Sequence, residues 1–222
     1  VTCSAAMRDE VPTLFDLDPD SITVIRNGIT ARQWHVTKKQ VNKARARWAP
    51  KDQRLLLYFG RLEYEKGVQD LITALPLICR EHPTTRLVIA GVGGQRDLLE
   101  EHASTQRVRN NVIFAGHLPD DDLATLLAAA DAVVLPSRYE PFGLVALEAA
   151  AAGAPLVAST AGGLREVVID GKTGVSFTPG DITGLAEAVS RVLADPASAA
   201  RRARAARARL TAEFDWATIA AQ

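Results

Sequence analysis

From Arg54 onward, the apolar residues fall in short, nearly unbroken runs, each followed by a polar or glycine-bearing loop and then by apolar residues at helical spacing. The runs are Leu55–Phe59, Arg86–Ala90, Val112–Ala115, Ala132–Leu135, Pro155–Ala158 and Gly174–Phe177. They lack the alternation of a strand with one wet face, so they predict strands buried on both sides. The 3.6-residue spacing predicts helices over Val68–Cys79, Gln95–Thr105, Asp120–Ala130 and Phe142–Ala152. Gly153 stands at the C′ position of the fourth. A short helix follows at Leu164–Ile169, and Asp181 caps another that runs to Leu193. Strand, loop and helix repeated in this order predict an α/β protein with a Rossmann-like, doubly wound parallel sheet.

The flanks follow a different pattern. Val1–Cys3 and the alternating Ser21–Ile25 read as short strands, with Asn27-Gly28 as a turn. Ser4 is an N-cap for a helix over Ala5–Leu14, and Lys38–Trp48 reads as a helix in the charged stretch from Thr30 to Asp52. At the far end, Ala197–Phe214 is a strongly helical Ala/Arg segment and Trp216–Ala221 an amphipathic turn. Its arginines at 201, 202, 204, 207 and 209 are read as a solvated face, with the alanines packing inward.

The totals narrow the function. With 222 residues, 47% of them hydrophobic, the chain can build one sizeable core and an appendage. Lys plus Arg and Asp plus Glu both number 26, so global charge gives no argument for nucleic acid or an anionic membrane. No apolar run reaches membrane-spanning length, which leaves membrane contact at most peripheral. Cys3 and Cys79 are too few for a disulfide framework, and a cytoplasmic setting is expected. The first residues have no signal-peptide layout and read as the inside of a strand, so the chain is expected to be a piece of something longer.

In a parallel sheet, ligands sit beyond the carboxyl ends of the strands. Most of the unusual residues fall there: Gly60-Arg61, Gly91–Gly94, Gly116–Pro119, Arg138–Gly143 and Ser159–Gly163. Arg61 and Lys66 suit phosphate, although Glu63 and Glu65 could neutralise both. Gly91-Val-Gly-Gly94 could meet a nucleotide through its backbone or simply make a tight turn, because Arg96 occupies the place of the third glycine in a dinucleotide fingerprint. The helix that starts after Phe142 and Gly143 offers free N–H groups to an anion. Glu140 lies before it and Glu148 about one and a half turns into it, so both can face one cleft. Asp120-Asp-Asp122 opens an apolar-periodic helix and reads as dipole-complementing acids rather than a metal motif. His117 has no second His or Cys spaced for a metal.

Glu140 and Glu148, with Pro-Phe-Gly-Leu-Val-Ala-Leu between them, resemble the Glu-x7-Glu signature of retaining glycosyltransferases of the GT-B fold, family 4 type, a group that includes the bacterial glycogen and α-glucan synthases. Gly60-Arg-Leu followed by Glu-Lys-Gly67 is similar to that family's diphosphate loop. Val24-Ile-Arg-Asn-Gly-Ile29 is similar to its interdomain crossing, with Thr30 where an acid is usual. Phe214-Asp-Trp216 is similar to its return crossing. The resemblance covers nearly the whole chain. It implies that residues 1–30 are the tail of an N-terminal domain and linker, that 31–213 form the C-terminal donor domain, and that 214–222 cross back towards the N-terminal domain. Glu140, Arg61 and Lys66 are then the catalytic candidates. Gly60, Arg61, Lys66, Gly91, Leu118, Glu140, Phe142, Gly143, Leu144 and Glu148 are the donor-binding candidates. Glu140 would meet the sugar, the backbone after it the diphosphate, Glu148 the ribose, and the backbone near Leu118 the base. Ala161-Gly-Gly163 with Glu166 resembles the family's donor-side glycine loop. The implied donor is a nucleoside-diphosphate hexose such as UDP-glucose or ADP-glucose, the acceptor a sugar or an α-glucan, with no cofactor and no metal. By itself this half is expected to bind donor weakly and turn over poorly. A non-catalytic nucleotide-sugar-binding module and a sugar-nucleotide epimerase of the same fold remain as alternatives.

Overall fold

A computed structural model describes residues 1–50 and 53–220. Six strands form one parallel sheet: β1 (Arg54–Phe59), β2 (Thr85–Ala90), β3 (Val112–Gly116), β4 (Ala132–Leu135), β5 (Leu156–Ser159) and β6 (Val175–Phe177). Their order across the sheet is β3-β2-β1-β4-β5-β6. The direction of winding therefore reverses between β1 and β4, which pair through Leu56↔Ala132 and Leu57↔Val133. Alternate β1 side chains serve opposite faces. Leu55, Leu57 and Phe59 enter one buried cluster, and Leu56 and Tyr58 the other. Both faces are dry, which explains why the runs carry no polar alternation.

Helices α1 (Ala5–Phe15) and α2 (Lys38–Trp48) precede the sheet. Then follow α3 (Val68–Glu81), α4 (Arg96–Thr105), α5 (Asp120–Ala129), α6 (Leu144–Ala151), the single turn α7 (Leu164–Val167) and α8 (Ile182–Ala194). The chain continues through α9 (Pro196–Glu213) and the short α10 (Trp216–Ile219). Helices α3, α4 and α8 cover one face, while α5, α6 and α9 cover the other. Among the described residues, no helix is long and apolar enough to cross a membrane.

Three expectations change. Val1–Cys3 and Ser21–Ile25 are not strands: a single parallel bridge, Thr2↔Val24, joins them. Among the described residues the two segments have only each other to pair with and no sheet face to bury, so they cannot sustain a ladder. The arginine face of α9 is not uniformly solvated. Arg209 donates to the carbonyls of Glu166 and Val167 at 2.8 and 2.9 Å and pairs with Glu213 at 2.9 Å. Helix α6 begins at Leu144 rather than Phe142, because Gly143 takes φ +105° as its N-cap. The ends of two predicted segments, at 221–222, lie outside the described residues, as does Asp52 at the end of the charged stretch.

Candidate active site

The chain leaves β1 through Gly60–Gly67 and β4 through Pro136–Gly143, at the place where the winding reverses. These two loops are fastened together. Gly67 has φ +70°, and a side chain there would run into the carbonyl oxygen of Pro136. The N–H groups of Arg138 and Tyr139 both donate to the Glu65 carbonyl, at 2.8 and 3.2 Å. The Arg138 guanidinium grips buried Asp70 with two bonds, of 2.8 and 2.7 Å, and donates to the Tyr64 hydroxyl at 2.6 Å. This planar, bidentate geometry is one that Lys could not reproduce.

The fastening brings Lys66 and Glu140 to a Nζ–Oε2 distance of 2.9 Å, with side chains only 15% and 11% exposed. The Ser137 hydroxyl lies 3.4 Å from the same carboxylate oxygen. Tyr58, Ser137, Leu144 and this ion pair bound a cavity of about 210 Å³. A second cavity, of about 240 Å³, adjoins it and is lined by Gly91, Leu118, Asp120 and Glu148 among others. Both share Phe59, Gly60, Arg61 and Val145, so they are two lobes of one cleft.

Glu148 differs from Glu140. Among the described residues its carboxylate has neither a hydrogen-bond donor nor a cation. Burial, and then the charge of Asp120, push its pKa up to about 7. A half-buried acid left without donors is poised for ligand hydroxyls or N–H groups. Between the lobes, α6 starts without a side-chain cap, and Leu144 and Val145 reach the cleft wall. The first N–H groups of that helix and its partial positive charge favour an anion there. Arg61 is 68% exposed and touches Glu65 only at 3.4 Å, so it can turn to a ligand. Its backbone is held by the Tyr58 hydroxyl, which donates to the Arg61 carbonyl at 2.6 Å.

Of the sequence candidates, Gly60, Arg61, Lys66, Gly91, Leu118, Glu140, Leu144 and Glu148 therefore meet at this cleft. Phe142 and Gly143 do not line it. The Phe142 ring is buried edge-on against Phe214, with centroids 6.2 Å apart, so only its backbone faces the loop. Gly91 has φ +151°, and a side chain there would meet the Gly60 carbonyl, so close packing of two loops requires this glycine. The pairing of charges differs from the sequence reading. Glu65 faces Arg61, but Lys66 turns to Glu140, and Glu63 accepts from the Gly94 N–H at 3.2 Å. Glu166 does not line either lobe and accepts from the N–H groups of Ala5 and Ala6 at the start of α1. Asp120 and the Arg138–Asp70 clamp were missed as parts of the candidate site. The position of Asp120 just past β3, at the same rim as the other loops, was the available signal; nothing local pairs Arg138 with Asp70. Among the described residues, no group of three or more His, Cys, Asp or Glu side chains is arranged to hold a metal ion.

Residues 40–209 match the family described as glycosyl transferases group 1. Over 220 residues the chain is 57% identical to a glycogen synthase of Mycobacterium tuberculosis, an alignment that takes in 99% of this chain and 51% of that protein. HepE of Anabaena, solved in complex with UDP-glucose, is similar with a TM-score of 0.90 at 29% identity, over 98% of this chain and 60% of that one. The C-terminal domain of a group 1 glycosyl transferase from Francisella tularensis shares the fold, with a TM-score of 0.73 at 24% identity, over 85% of this chain and 100% of that one. The chain spans about half the length of the curated relatives it matches.

Proposed function

The chain belongs to the glycosyl transferases group 1 family, and on that footing we propose that it is the donor-binding half of a retaining hexosyltransferase that uses a nucleoside-diphosphate sugar. One observation carries the reading. The cleft holds a bare carboxylate in one lobe and a lysine–carboxylate pair in the other, with an uncapped helix start and the largely exposed Arg61 between them. A nucleotide sugar has the complementary order: a ribose diol, a diphosphate and a hexose.

In this reading the nucleoside lies in the lobe of Gly91 and Leu118, and Glu148 accepts from the ribose hydroxyls. The diphosphate lies against Arg61, the α6 N-terminus and Lys66. Lys66 has three N–H donors, so it can keep its bond to Glu140 and still meet a phosphate oxygen. Glu140, fixed by Lys66, uses its remaining lone pairs to orient the hexose hydroxyls. As the glycosidic bond breaks, negative charge grows on the leaving diphosphate, and these fixed positive groups stabilise it where it develops. Their presence supports leaving-group stabilisation without a metal. The proposed hexose is glucose and the proposed acceptor an α-glucan, supported by the likeness to a glycogen synthase and to HepE, which was solved with UDP-glucose. An acceptor site on an N-terminal GT-B domain completes the proposal, and with it the weak turnover expected of this half alone. The unpaired Cys3 and Cys79 are in keeping with a cytoplasmic setting.

Calorimetric titration with UDP, ADP, UDP-glucose and ADP-glucose, each with and without EDTA, tests the reading. At least one pair binds, and EDTA leaves its affinity unchanged. Binding that disappears with EDTA overturns the metal-free part; no binding of any of the four overturns the donor site. Release of free nucleotide that depends on added glucan, measured after joining the N-terminal domain, separates a transferase from a silent binding module or an epimerase.

A further inference from the structure

The loop from Pro136 to Gly143 contains two prolines, which have no N–H, and its carbonyls carry much of its fastening. The Ser137 carbonyl accepts from the Ser159 hydroxyl at 2.5 Å, and the Glu140 carbonyl from the Gly163 N–H at 2.9 Å. Both donors come from β5 and the loop after it. The Pro141 carbonyl is held differently. It accepts from the hydroxyl of Ser4 at 2.6 Å, 137 positions away in sequence, with the Cys3 thiol at a long 3.9 Å. Ser4 is completely buried. Its oxygen also accepts from the Met7 N–H at 3.1 Å and so caps α1.

No residue of helix α1 is fully buried, and only Ala5, Ala6, Met7, Arg8, Val11 and Pro12 are half-buried, so apolar packing alone does not explain why it stays here. Polar contacts hold it. The Glu166 carboxylate accepts from the N–H groups of Ala5 and Ala6 at 3.2 and 2.9 Å, and the Tyr139 hydroxyl meets Glu10 at 3.3 Å. A helix with no fully buried residue is thus tied by its first turn to the loop that carries Glu140.

We propose that Ser4 is a positioning residue for the sugar side of the cleft: its bond to the Pro141 carbonyl fixes the Pro141–Phe142 peptide and, together with the Gly163 N–H on the Glu140 carbonyl, sets the aim of the Glu140 carboxylate. This deepens the donor-site reading above and rests on it. Without the bond the Pro141–Phe142 peptide can rotate, and Glu140, although still paired with Lys66, loses part of the backbone support that aims it at the hexose. No residue lining the lobe of Glu148 is hydrogen-bonded to this carbonyl, so the effect falls mainly on the sugar side. Ser4 thereby makes the segment ahead of the sheet a determinant of sugar recognition.

The rival role is that of a helix cap alone. Two substitutions separate the roles. Ser4→Gly removes the hydroxyl but leaves an acceptable N-cap residue, whereas Ser4→Thr keeps a hydroxyl for both bonds. Each protein is titrated with UDP, ADP, UDP-glucose and ADP-glucose. For the base that wild type prefers, Ser4→Gly weakens the glucose-bearing ligand about tenfold, within the range of one well-aimed polar contact. Its affinity for the sugar-free nucleotide stays within twofold of wild type, and Ser4→Thr restores the ratio. If Ser4→Gly leaves the ratio of the two affinities unchanged, or lowers both alike, or if Ser4→Thr behaves as Ser4→Gly, the proposal is wrong while the donor site stands. If wild type binds none of the four, the donor site itself is wrong.

Discussion

Replacing Glu148 by Gln should make the empty domain more stable at pH 8 and leave it nearly unchanged at pH 5. The reasoning starts from burial. The carboxylate sits in the cleft wall without a donor, and its pKa rises from an ordinary 4.5 to about 7. A carboxyl group raised in this way binds a proton more tightly in the folded chain than in the unfolded one. Across the window from 4.5 to 7 the folded state therefore carries more protons, and stability falls as pH rises. Each pH unit in that window costs about 1.4 kcal/mol, so the loss is complete above pH 7 at about 3 kcal/mol. This is an upper limit, because the cleft is open to water on one side. Gln has nearly the same shape and no charge, so it escapes the loss. For a domain of this size about 1 kcal/mol moves the melting temperature by roughly 2–4 °C. The variant should then melt up to about 6–12 °C above wild type at pH 8, and within about 3 °C of it at pH 5. Circular dichroism melts of both proteins at the two pH values decide the matter. An equal shift at both pH values, or a less stable variant at pH 8, would show that Glu148 is not a strained bare acid. The same substitution removes the acceptor proposed for the ribose, so the stabilised protein should bind UDP or ADP more weakly.

Glu140→Gln should act on turnover rather than on the nucleotide. In the enzyme joined to its N-terminal domain, kcat should fall about a hundredfold, while UDP or ADP affinity measured by calorimetry stays within about threefold; equal weakening of the sugar-free nucleotide by both glutamate variants would refute separate roles. Arg138→Ala should leave Asp70 buried without its cation and lower stability in urea by about 2 kcal/mol, below the full value for a buried pair because Arg138 is partly exposed; a loss under about 0.5 kcal/mol would mean that the clamp does not hold the two loops.

The sheet was legible because continuous apolar runs have one stable use, a strand covered on both faces. The reading of Leu55–Phe59 or Ala132–Leu135 needed no tertiary knowledge. The site's location was legible for a related reason: Gly60, Gly91, Gly143 and the charged residues near them all follow strands. Pairing was not legible. Lys66 has Glu65 beside it in sequence and Glu140 far away, and local distance favours the former. Closure of the Gly67 turn onto Pro136 and the grip of Arg138 on Asp70 decide for the latter. The N-terminal segment misled for the opposite reason. Alternation in Ser21–Ile25 is a real strand signal, but a strand also needs neighbours, and among the described residues Val24 has only Thr2. Glu166 read as part of a donor loop because it follows Gly162-Gly163, yet the single turn of α7 aims its side chain at α1.

The position of α6 explains why two acids so near in sequence live under different conditions. Glu140 lies before the helix, in the loop that meets the loop after β1, and so receives a cation from it. Glu148 lies just over one turn down the helix on the side of β1 and β2, where the charged neighbour is Asp120. The helix start lies between them. Any ligand with an anionic centre would sit on that start and on Arg61 in either of two directions. The lobes break the tie. The lobe of Glu148 is walled by Ala90, Val92, Leu118 and Leu123, a surface for a flat, weakly polar base. The lobe of Glu140 is walled by Tyr58, Lys66 and Ser137, with spare donors and acceptors for a ring of hydroxyls. A base in the second lobe would strand the Lys66–Glu140 pair against an apolar face, and a hexose in the first would leave those apolar walls poorly covered. Both errors carry a desolvation cost. In the proposed reading, the direction of a nucleotide sugar along the cleft thus follows from the walls of the two lobes and from which acid has a cation and which has none.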